Sequence, residues 1–524
     1  MTIHELLEHF RAEITAPRDR GTAFERLMQS YLQIDPLYKD RFKSVSMWSQ
    51  WEHKFGNDNG IDLVAEGYDG EFAAIQCKFY DPEHLIQKDD INSFFAESGK
   101  QFAVKGTKKS FAERIIISTS DRWSEPAEKT LNGQTIPVTR IHVRELAQSP
   151  IDWSKFNLKK PEDLKLKEKK KLRPHQAEAV EKVTAAFKKA DRGKLIMACG
   201  TGKTFTALKL AETTTQGNGL VLFMVPSISL LSQTLREWTA EAKVPFHAFA
   251  VCSDSKVGKH SEDISKHDLQ IPASTDTTSL IRGLEKLGRK KAMTVIFSTY
   301  QSIEVVAKAQ KTGLPEFDLI ICDEAHRTTG AKAAGEEESH FVKVHDQKFI
   351  QGKKRLYMTA TPRIFGDAAK TKAEEADAEL WSMDDESKFG KEIHRLGFGK
   401  AVSDHLLTDY KVLVLAIDEA IIDPRFQKSL ADANSEIQIE DMAKMIGCWN
   451  GLSKRFKGEG SETEDKHPMK RAVAFARSIK DSKSIANSFQ TVVSEYIKKN
   501  PALKDVLGCE PAILGATGQR ERQQ

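Results

Sequence analysis

Two rhythms of apolar and polar residues divide the chain. At the start, "MTIHELLEHFRAEI" sets Ile3, Leu6, Leu7, Phe10 and Ile14 at helical spacing with acidic residues between them, which predicts an amphipathic helix. "TAFERLMQSYL" repeats the pattern, with Phe24, Leu27, Met28, Tyr31 and Leu32 on one face. Residues 57–80, "NDNGIDLVAEGYDGEFAAIQCKFY", change the period: they read as two short apolar strands joined by a turn at Asp69-Gly70. "ERIIIST" and "IPVTRIHV" are further strand candidates. From Leu172 onward strand, loop and helix alternate. "GKLIMA", "GLVLFMV", "MTVIFST", "FDLIIC" and "KRLYMT" are apolar runs, most of them ending in a polar loop. That alternation predicts a parallel sheet covered by helices, with ligands at the carboxyl ends of the strands. Residues 253–292 interrupt it as a polar insertion, and a second α/β unit is expected to start at "TDYKVLVLAI" (408–417) and to include "KRAVAFARSI" (470–479).

Between the two rhythms lies a stretch with little to bury. Residues 155–171 hold eight lysines and a proline, and are expected to be a basic linker. A solvated connector is preferred there to a track of phosphate contacts. A length of 524 residues implies two to four domains. The net charge is only +4, so any nucleic-acid footprint must be local. Six scattered cysteines without a C-x-x-C pair argue against a disulfide framework or a zinc ribbon and suit a reducing cytosol. No apolar run reaches membrane-spanning length and the first helix is acidic, unlike a signal peptide; a cytoplasmic protein without a membrane partner is expected.

Candidate chemistry sits in both parts. "KLIMACGTGKTFTALKLAE" (194–212) is a strand, a tight loop and a helix. Gly200 and Gly202 let the backbone N–H groups around Thr201 close on phosphate oxygens, Lys203 reaches the outer phosphates of ATP, and Thr204 is placed to hold Mg²⁺. Met197 stands where the general pattern has its first glycine. "FDLIICDEAHR" (317–327) runs a buried strand into two adjacent carboxylates. Asp323 is expected to hold the metal through water and Glu324 to polarise the attacking water, while His326 fits a coupling role.

In the early hairpin, Asp62, Gln76 and Lys78 are polar residues inside apolar strands, where burial is costly without a partner. With the turn near residue 69, Asp62 falls opposite Gln76 or Cys77, and Gln76 and Lys78 share a face. Together they are expected to converge on one Mg²⁺ and one phosphate: a carboxylate and an amide oxygen for the metal, a lysine for the water or the developing charge. Glu25 is a further candidate acid, although Thr22 to Glu25 also spells a helix capping box.

These segments carry resemblances. "LRPHQ" (172–176), the G-T-G-K-T loop, "VPSISLLSQT" (225–234), "STYQS" (298–302), "DEAHR" (323–327) and "TATPR" (359–363) resemble, in order, motifs Q, I, Ia, Ib, II and III of superfamily 2 helicases. "FARSI" (475–479) resembles motif IV. The resemblance implies that Gln176 reads the adenine edge, that Thr359 and Thr361 link hydrolysis to strand movement, and that the Ia and Ib loops grip the DNA backbone. No Q-x-x-G-R-x-x-R of motif VI follows, and about 115 residues remain after 408. The expectation is therefore an N-terminal portion of a longer protein that binds ATP but hydrolyses it poorly. G-I-D, Q-C-K and "GTAFERL" (21–27) resemble the Mrr-like branch of PD-(D/E)xK nucleases, in which Asp62 and Gln76 would be the metal ligands and Glu25 the upstream acid.

The pairing is similar to the motor subunits of type I restriction enzymes and to single-chain type ISP enzymes; "DEAHRTTG" (323–330) and "LLTDYKVLVLAIDE" (406–419) resemble the latter more. The fold expected is α/β: a restriction-endonuclease-like domain (1–153), the basic linker (154–171), a RecA-like doubly wound parallel-sheet domain (172–405) and a partial second one (406–524). The function expected is an ATP-dependent translocase on double-stranded DNA fused to a Mg²⁺-dependent endonuclease, working with methyltransferase and target-recognition domains. The alternatives are a nucleic-acid remodelling ATPase whose first domain binds DNA without cutting it and, more distantly, a scaffold subunit of a defence complex.

Overall fold

The computed structural model describes residues 1–56, 60–156, 164–252, 265–286 except 275, 292–332, 339–410 except 377, 439–454, 469, 472–476, 479–499, 513–514 and 520–521. The N-terminal periodicity forms α1 (Ile3–Glu13), closed by a reciprocal cap in which Thr2 Oγ1 accepts from the Glu5 N–H and Glu5 accepts from the Thr2 N–H. The second helix, α2 (Pro17–Ile34), starts earlier than its apolar face predicted, because Pro17 occupies the first helical position. Thr22 and Glu25 therefore lie inside the helix, and the capping-box explanation of Glu25 does not hold.

Both helices cover one face of a five-stranded sheet made of β1 (Phe42–Met47), β2 (Leu63–Gly67), β3 (Phe72–Lys78), β4 (Phe111–Ser118) and β5 (Val138–Ile141), in that spatial order. The first two pairings are antiparallel and the last two parallel. Alternation sorts the strands: Leu63, Ile75, Ile115 and Ile117 face the helices, while Val64, Ala74 and Ile116 meet Trp48, Trp51 and Phe94 on the other side. Phe94 belongs to α3 (Lys88–Glu97), in the crossover that a parallel β3–β4 pair requires.

The second rhythm begins at α4 (Pro174–Ala186). It builds β6 (Arg192–Met197), α5 (Lys203–Thr215), β7 (Leu220–Val225), α6 (Ile228–Glu241), β8 (His247–Val251), β9 (Ala273–Ser274), β10 (Thr294–Thr299), β11 (Leu319–Cys322), β12 (Arg355–Thr359) and β13 (Lys391–Leu396). The strands form one sheet in the order β9-β8-β10-β7-β11-β12-β6-β13, parallel throughout. The five apolar runs all appear as strands. β8, β9 and β13 are additions toward the sheet edges: β8 is a short, half-exposed run, β9 has only two residues, and β13 interleaves charged with apolar residues. β9 lies within the presumed insertion, so that segment is partly sheet.

In the described half of the linker Leu164 is buried, while residues 165–171 are exposed but tethered. Lys165–Leu166 pairs with Ile151–Asp152, Lys169 Nζ donates to the Ala242 carbonyl at 2.5 Å, and Lys170 N–H donates to Glu241 at 2.7 Å. Residues 165–171 are thus exposed to solvent, as expected of a connector, and are also held by specific bonds; residues 157–163 lie outside the described part. Residues 1–255 and 263–408 form one compact unit, and 409–524 with 256–262 another. In the latter, α7 (Ile439–Leu452) and α8 (Ile479–Lys499) pack through Met442, Ile446, Trp449, Phe489, Val492 and Val493. The expected strand at 408–417 falls largely outside the described residues; of motif IV, 475–476 have no regular structure, 477–478 lie outside the described residues and Ile479 opens α8. Among the described residues no helix is long and apolar enough to cross a membrane.

Two candidate catalytic centres

The first centre forms where β6 ends. The loop turns through Gly200 and Gly202, both left-handed (φ +83° and +86°), conformations that glycine alone adopts without strain. Gly202 caps α5, so the first N–H groups of that helix face the loop. Lys203 Nζ donates to the Met197 carbonyl at 3.3 Å and lies 3.9 Å from Cys199 Sγ. Thr201 Oγ1 donates to the Ala198 carbonyl at 2.7 Å, bracing the loop from within. Thr204 opens the helix beside Lys203; its carbonyl accepts from Trp238 Nε1 at 3.0 Å.

Gln176 is buried against this loop. Its Nε2 donates to the Thr201 carbonyl at 3.1 Å and its Oε1 accepts from the Arg173 N–H at 2.9 Å. A Cβ on Gly202 would stand 2.2 Å from Gln176 Nε2, so the glutamine occupies space that only glycine leaves. His175 Nε2 also lies 3.0 Å from the Thr201 carbonyl, a contact that sequence reasoning did not single out.

Asp323 and Glu324 follow β11, two strands from the loop. Burial, reinforced by the charge on Glu324, pushes the Asp323 carboxyl up to about 6. Its Oδ1 is buried with no hydrogen-bond partner. A buried carboxylate oxygen with no partner and a threonine hydroxyl at a helix start are hard oxygen donors, a set that fits Mg²⁺. The Asp323 carbonyl is held by the Tyr300 hydroxyl at 2.8 Å, which gives the "STYQS" segment a direct structural tie to the acidic pair.

Glu324 is left-handed (φ +48°), an unusual backbone state for a side chain of that size. His326 Nδ1 lies 3.4 Å from Glu324 Oε2 and 3.0 Å from Thr359 Oγ1. Burial lowers the His326 pKa, so near neutrality the ring is uncharged and has one proton to donate. Thr359 Oγ1 in turn accepts from the Thr361 N–H at 3.2 Å. Glu324, His326, Thr359 and Thr361 therefore form one chain of contacts joining the ends of β11 and β12.

The second centre lies at the end of the hairpin. Asp62 sits one residue before β2, not inside it, and its N–H bonds the Ile75 carbonyl at 2.9 Å. The register Leu63↔Ile75 continued by one residue sets Asp62 opposite Gln76. Asp62 Oδ2 accepts from the Cys77 N–H at 2.6 Å. Gln76 is 1% exposed, with Nε2 donating to the Gly60 carbonyl at 3.1 Å and Oε1 buried without a partner. Anchored by its amide nitrogen, the side chain has one acceptor left over, beside a carboxylate. That orphan oxygen fits a metal ligand.

Burial raises the Cys77 pKa well above its ordinary value, and the charges of Asp62 and then Glu25 add to the rise. The α2 carboxylate and the hairpin carboxylate thus both bear on the end of β3. Lys78 is half-buried, its Nζ 6.0 Å from the centre of the Tyr80 ring. Among the described residues no group of three or more His, Cys, Asp and Glu side chains is placed to hold a metal.

Comparison with known proteins agrees with this division. Residues 33–163 match the family model described as "Restriction endonuclease" and residues 169–364 that described as "Type III restriction enzyme, res subunit". A solved structure of the ATP-dependent Type ISP restriction-modification enzyme LlaBIII bound to DNA superposes with a TM-score of 0.81 at 42% identity, over 94% of this chain and 31% of that one. The probable helicase A859L of African swine fever virus (isolate Pig/Kenya/KEN-50/1950) is 30% identical over 191 residues, 36% of this chain and 19% of the viral protein. The EcoAI type I restriction enzyme endonuclease subunit of Escherichia coli is 22% identical over 345 residues, 63% of this chain and 35% of the subunit. The chain thus spans about a fifth to a third of the length of these relatives. It joins a restriction-endonuclease domain to a helicase-type motor domain, with the fold of the corresponding part of a Type ISP enzyme.

Proposed function

We propose that this chain is the nuclease and motor part of a restriction enzyme that moves along double-stranded DNA with ATP and cuts it with Mg²⁺. The observation that carries the reading is the buried, partnerless Gln76 Oε1 set opposite Asp62 at the strand end that bears Lys78. A merely structural glutamine would use both ends of its amide.

In the nuclease, Asp62 and Gln76 would hold the ion, with Glu25 as the upstream acid. A bound Mg²⁺ supplies Lewis-acid stabilisation of the phosphate and lowers the pKa of water. Lys78 places positive charge beside the scissile phosphate and orients the attacking water. In the motor, Thr204 and Asp323 would hold the nucleotide's Mg²⁺. The N–H groups of Gly200 to Lys203 and the Lys203 ammonium neutralise phosphate charge, and Gln176 reads the adenine edge. Glu324 accepts the proton of the attacking water. His326 passes the change at Glu324 to Thr359 and Thr361, where the two strand ends meet. The restriction-endonuclease match over 33–163 favours this reading over an ATPase that only binds DNA. A cytoplasmic location, and methyltransferase and target-recognition domains as partners, complete the proposal.

The test uses plasmid DNA, Mg²⁺ and ATP. Asp62→Ala and Lys78→Ala should each lower cleavage by about 100-fold or more while leaving nucleotide binding unchanged. Cleavage at wild-type rate in both variants would refute the nuclease assignment.

A further inference from the structure

The polar insertion of the motor folds back onto the nuclease. Residues 265–274 lay Asp268 against β5 and the residue that follows it. Asp268 Oδ1 accepts from Arg140 Nε at 2.8 Å and lies 3.0 Å from His142 Nε2. The other ring nitrogen, His142 Nδ1, forms an ion pair with Asp121 at 3.2 Å. One buried imidazole thus bridges a motor carboxylate and a nuclease carboxylate. Burial disfavours its charge, but Asp121 and Asp268 outweigh burial and the nearby Arg140, holding its pKa up at about 9.

Asp121 belongs to the loop after β4, and that loop grips the segment after the candidate cutting site. The Thr119 N–H donates to the Lys78 carbonyl at 3.0 Å. Thr119 Oγ1 accepts from the Tyr80 N–H at 2.7 Å, and Ser120 Oγ donates to the His84 carbonyl at 2.5 Å. A path therefore runs from the motor to the end of β3: a charge-assisted bond at Asp268, an ion-pair contact between His142 and Asp121, and backbone and hydroxyl bonds through the 119–120 loop.

We infer that Asp268 is a positioning residue for the nuclease: through His142 and Asp121 it fixes the 119–121 loop, and with it the strand end that presents Lys78. The inference rests on the nuclease reading of that strand end. The two parts are also held together elsewhere, because the fully buried Glu145 bonds Arg236 of α6 at 3.0 Å and Lys170 is tied to Glu241. Loss of Asp268 therefore loosens the loop without separating the domains.

The experiment combines hydrogen exchange with cleavage on the full chain. Asp268→Ala should raise amide exchange about tenfold in both 119–123 and 78–84. It should lower the plasmid cleavage turnover by a similar factor, with the half-saturating Mg²⁺ concentration and ATP binding unchanged. Asp268→Asn, which keeps an acceptor for Arg140 and His142, should recover most of the protection. Asp121→Asn alters a half-exposed residue at the far end of the bridge and should raise exchange in 78–84 with the interface intact. Faster exchange confined to 138–145 and 265–274 in Asp268→Ala, or unchanged exchange in 78–84 in Asp121→Asn, overturns the inference. If the wild-type chain does not cut DNA, the nuclease reading fails separately, while the exchange measurements still decide the coupling.

Discussion

Replacing Asp323 by asparagine should make the nucleotide-free protein more stable while disabling it. The structure holds this carboxyl in a buried site, beside Glu324 and with Oδ1 unpartnered, and its pKa rises from 3.8 to about 6. Keeping it ionised at pH 7 therefore costs folding about 3 kcal/mol. The sign follows from which state binds the proton. Well below 3.8 both folded and unfolded forms are protonated and there is no penalty. As pH rises the unfolded chain ionises first, stability falls, and the loss is complete above about 6. Asp323→Asn removes the titration and keeps the shape. Urea denaturation should show a gain of about 3 kcal/mol at pH 7 and only about 1 kcal/mol at pH 4.5. Adding ATP and Mg²⁺ should reverse the ranking, because binding stabilises only the form that retains the carboxylate. A variant no more stable than wild type at pH 7, or a gain undiminished at pH 4.5, would refute the reasoning.

Gly202→Ala should weaken ATP binding about tenfold in a nucleotide titration, because the new methyl displaces Gln176 and the residue must hold φ near +86°. The same substitution on a Gln176→Ala background should cost much less; equal costs on both backgrounds would disprove the clash. Gln76→Glu should tighten Mg²⁺ binding several-fold by calorimetry, while setting a carboxylate against the Gly60 carbonyl and lowering stability by about 1–3 kcal/mol. Unchanged metal affinity would remove the ligand role from Gln76.

The strands around the phosphate loop were legible in the sequence because they are buried on both faces and written as continuous apolar runs. The opposition of Asp62 and Gln76 followed from the turn alone, since antiparallel register is fixed by where the chain reverses. Other features had no local signal. β1, "FKSVSM", is half polar, and β13 interleaves charge with apolar residues because it closes a sheet edge. Thr22 and Glu25 carried a capping signal that Pro17 pre-empted by starting the helix five residues earlier. Asp268 and its arginine partner stand 128 residues apart, and Glu145 and Arg236 stand 91 apart. Nothing in a single sequence ties such charges together, and lysines anchored by backbone carbonyls look the same in sequence as lysines in water.

The strap at 265–274 also bears on how such an enzyme is assembled and exchanged over evolution. By sequence, the nuclease ends before the lysine-rich stretch and invites cutting and pasting as a cassette. By contact, two of its anchor residues are encoded 91 and 128 positions after their partners, inside the motor. A graft taken at the apparent boundary would leave behind Asp268 and Arg236 and expose their buried partners. The portable unit is thus larger than the domain, and recombination between such enzymes should favour exchanges that carry nuclease and first motor lobe together.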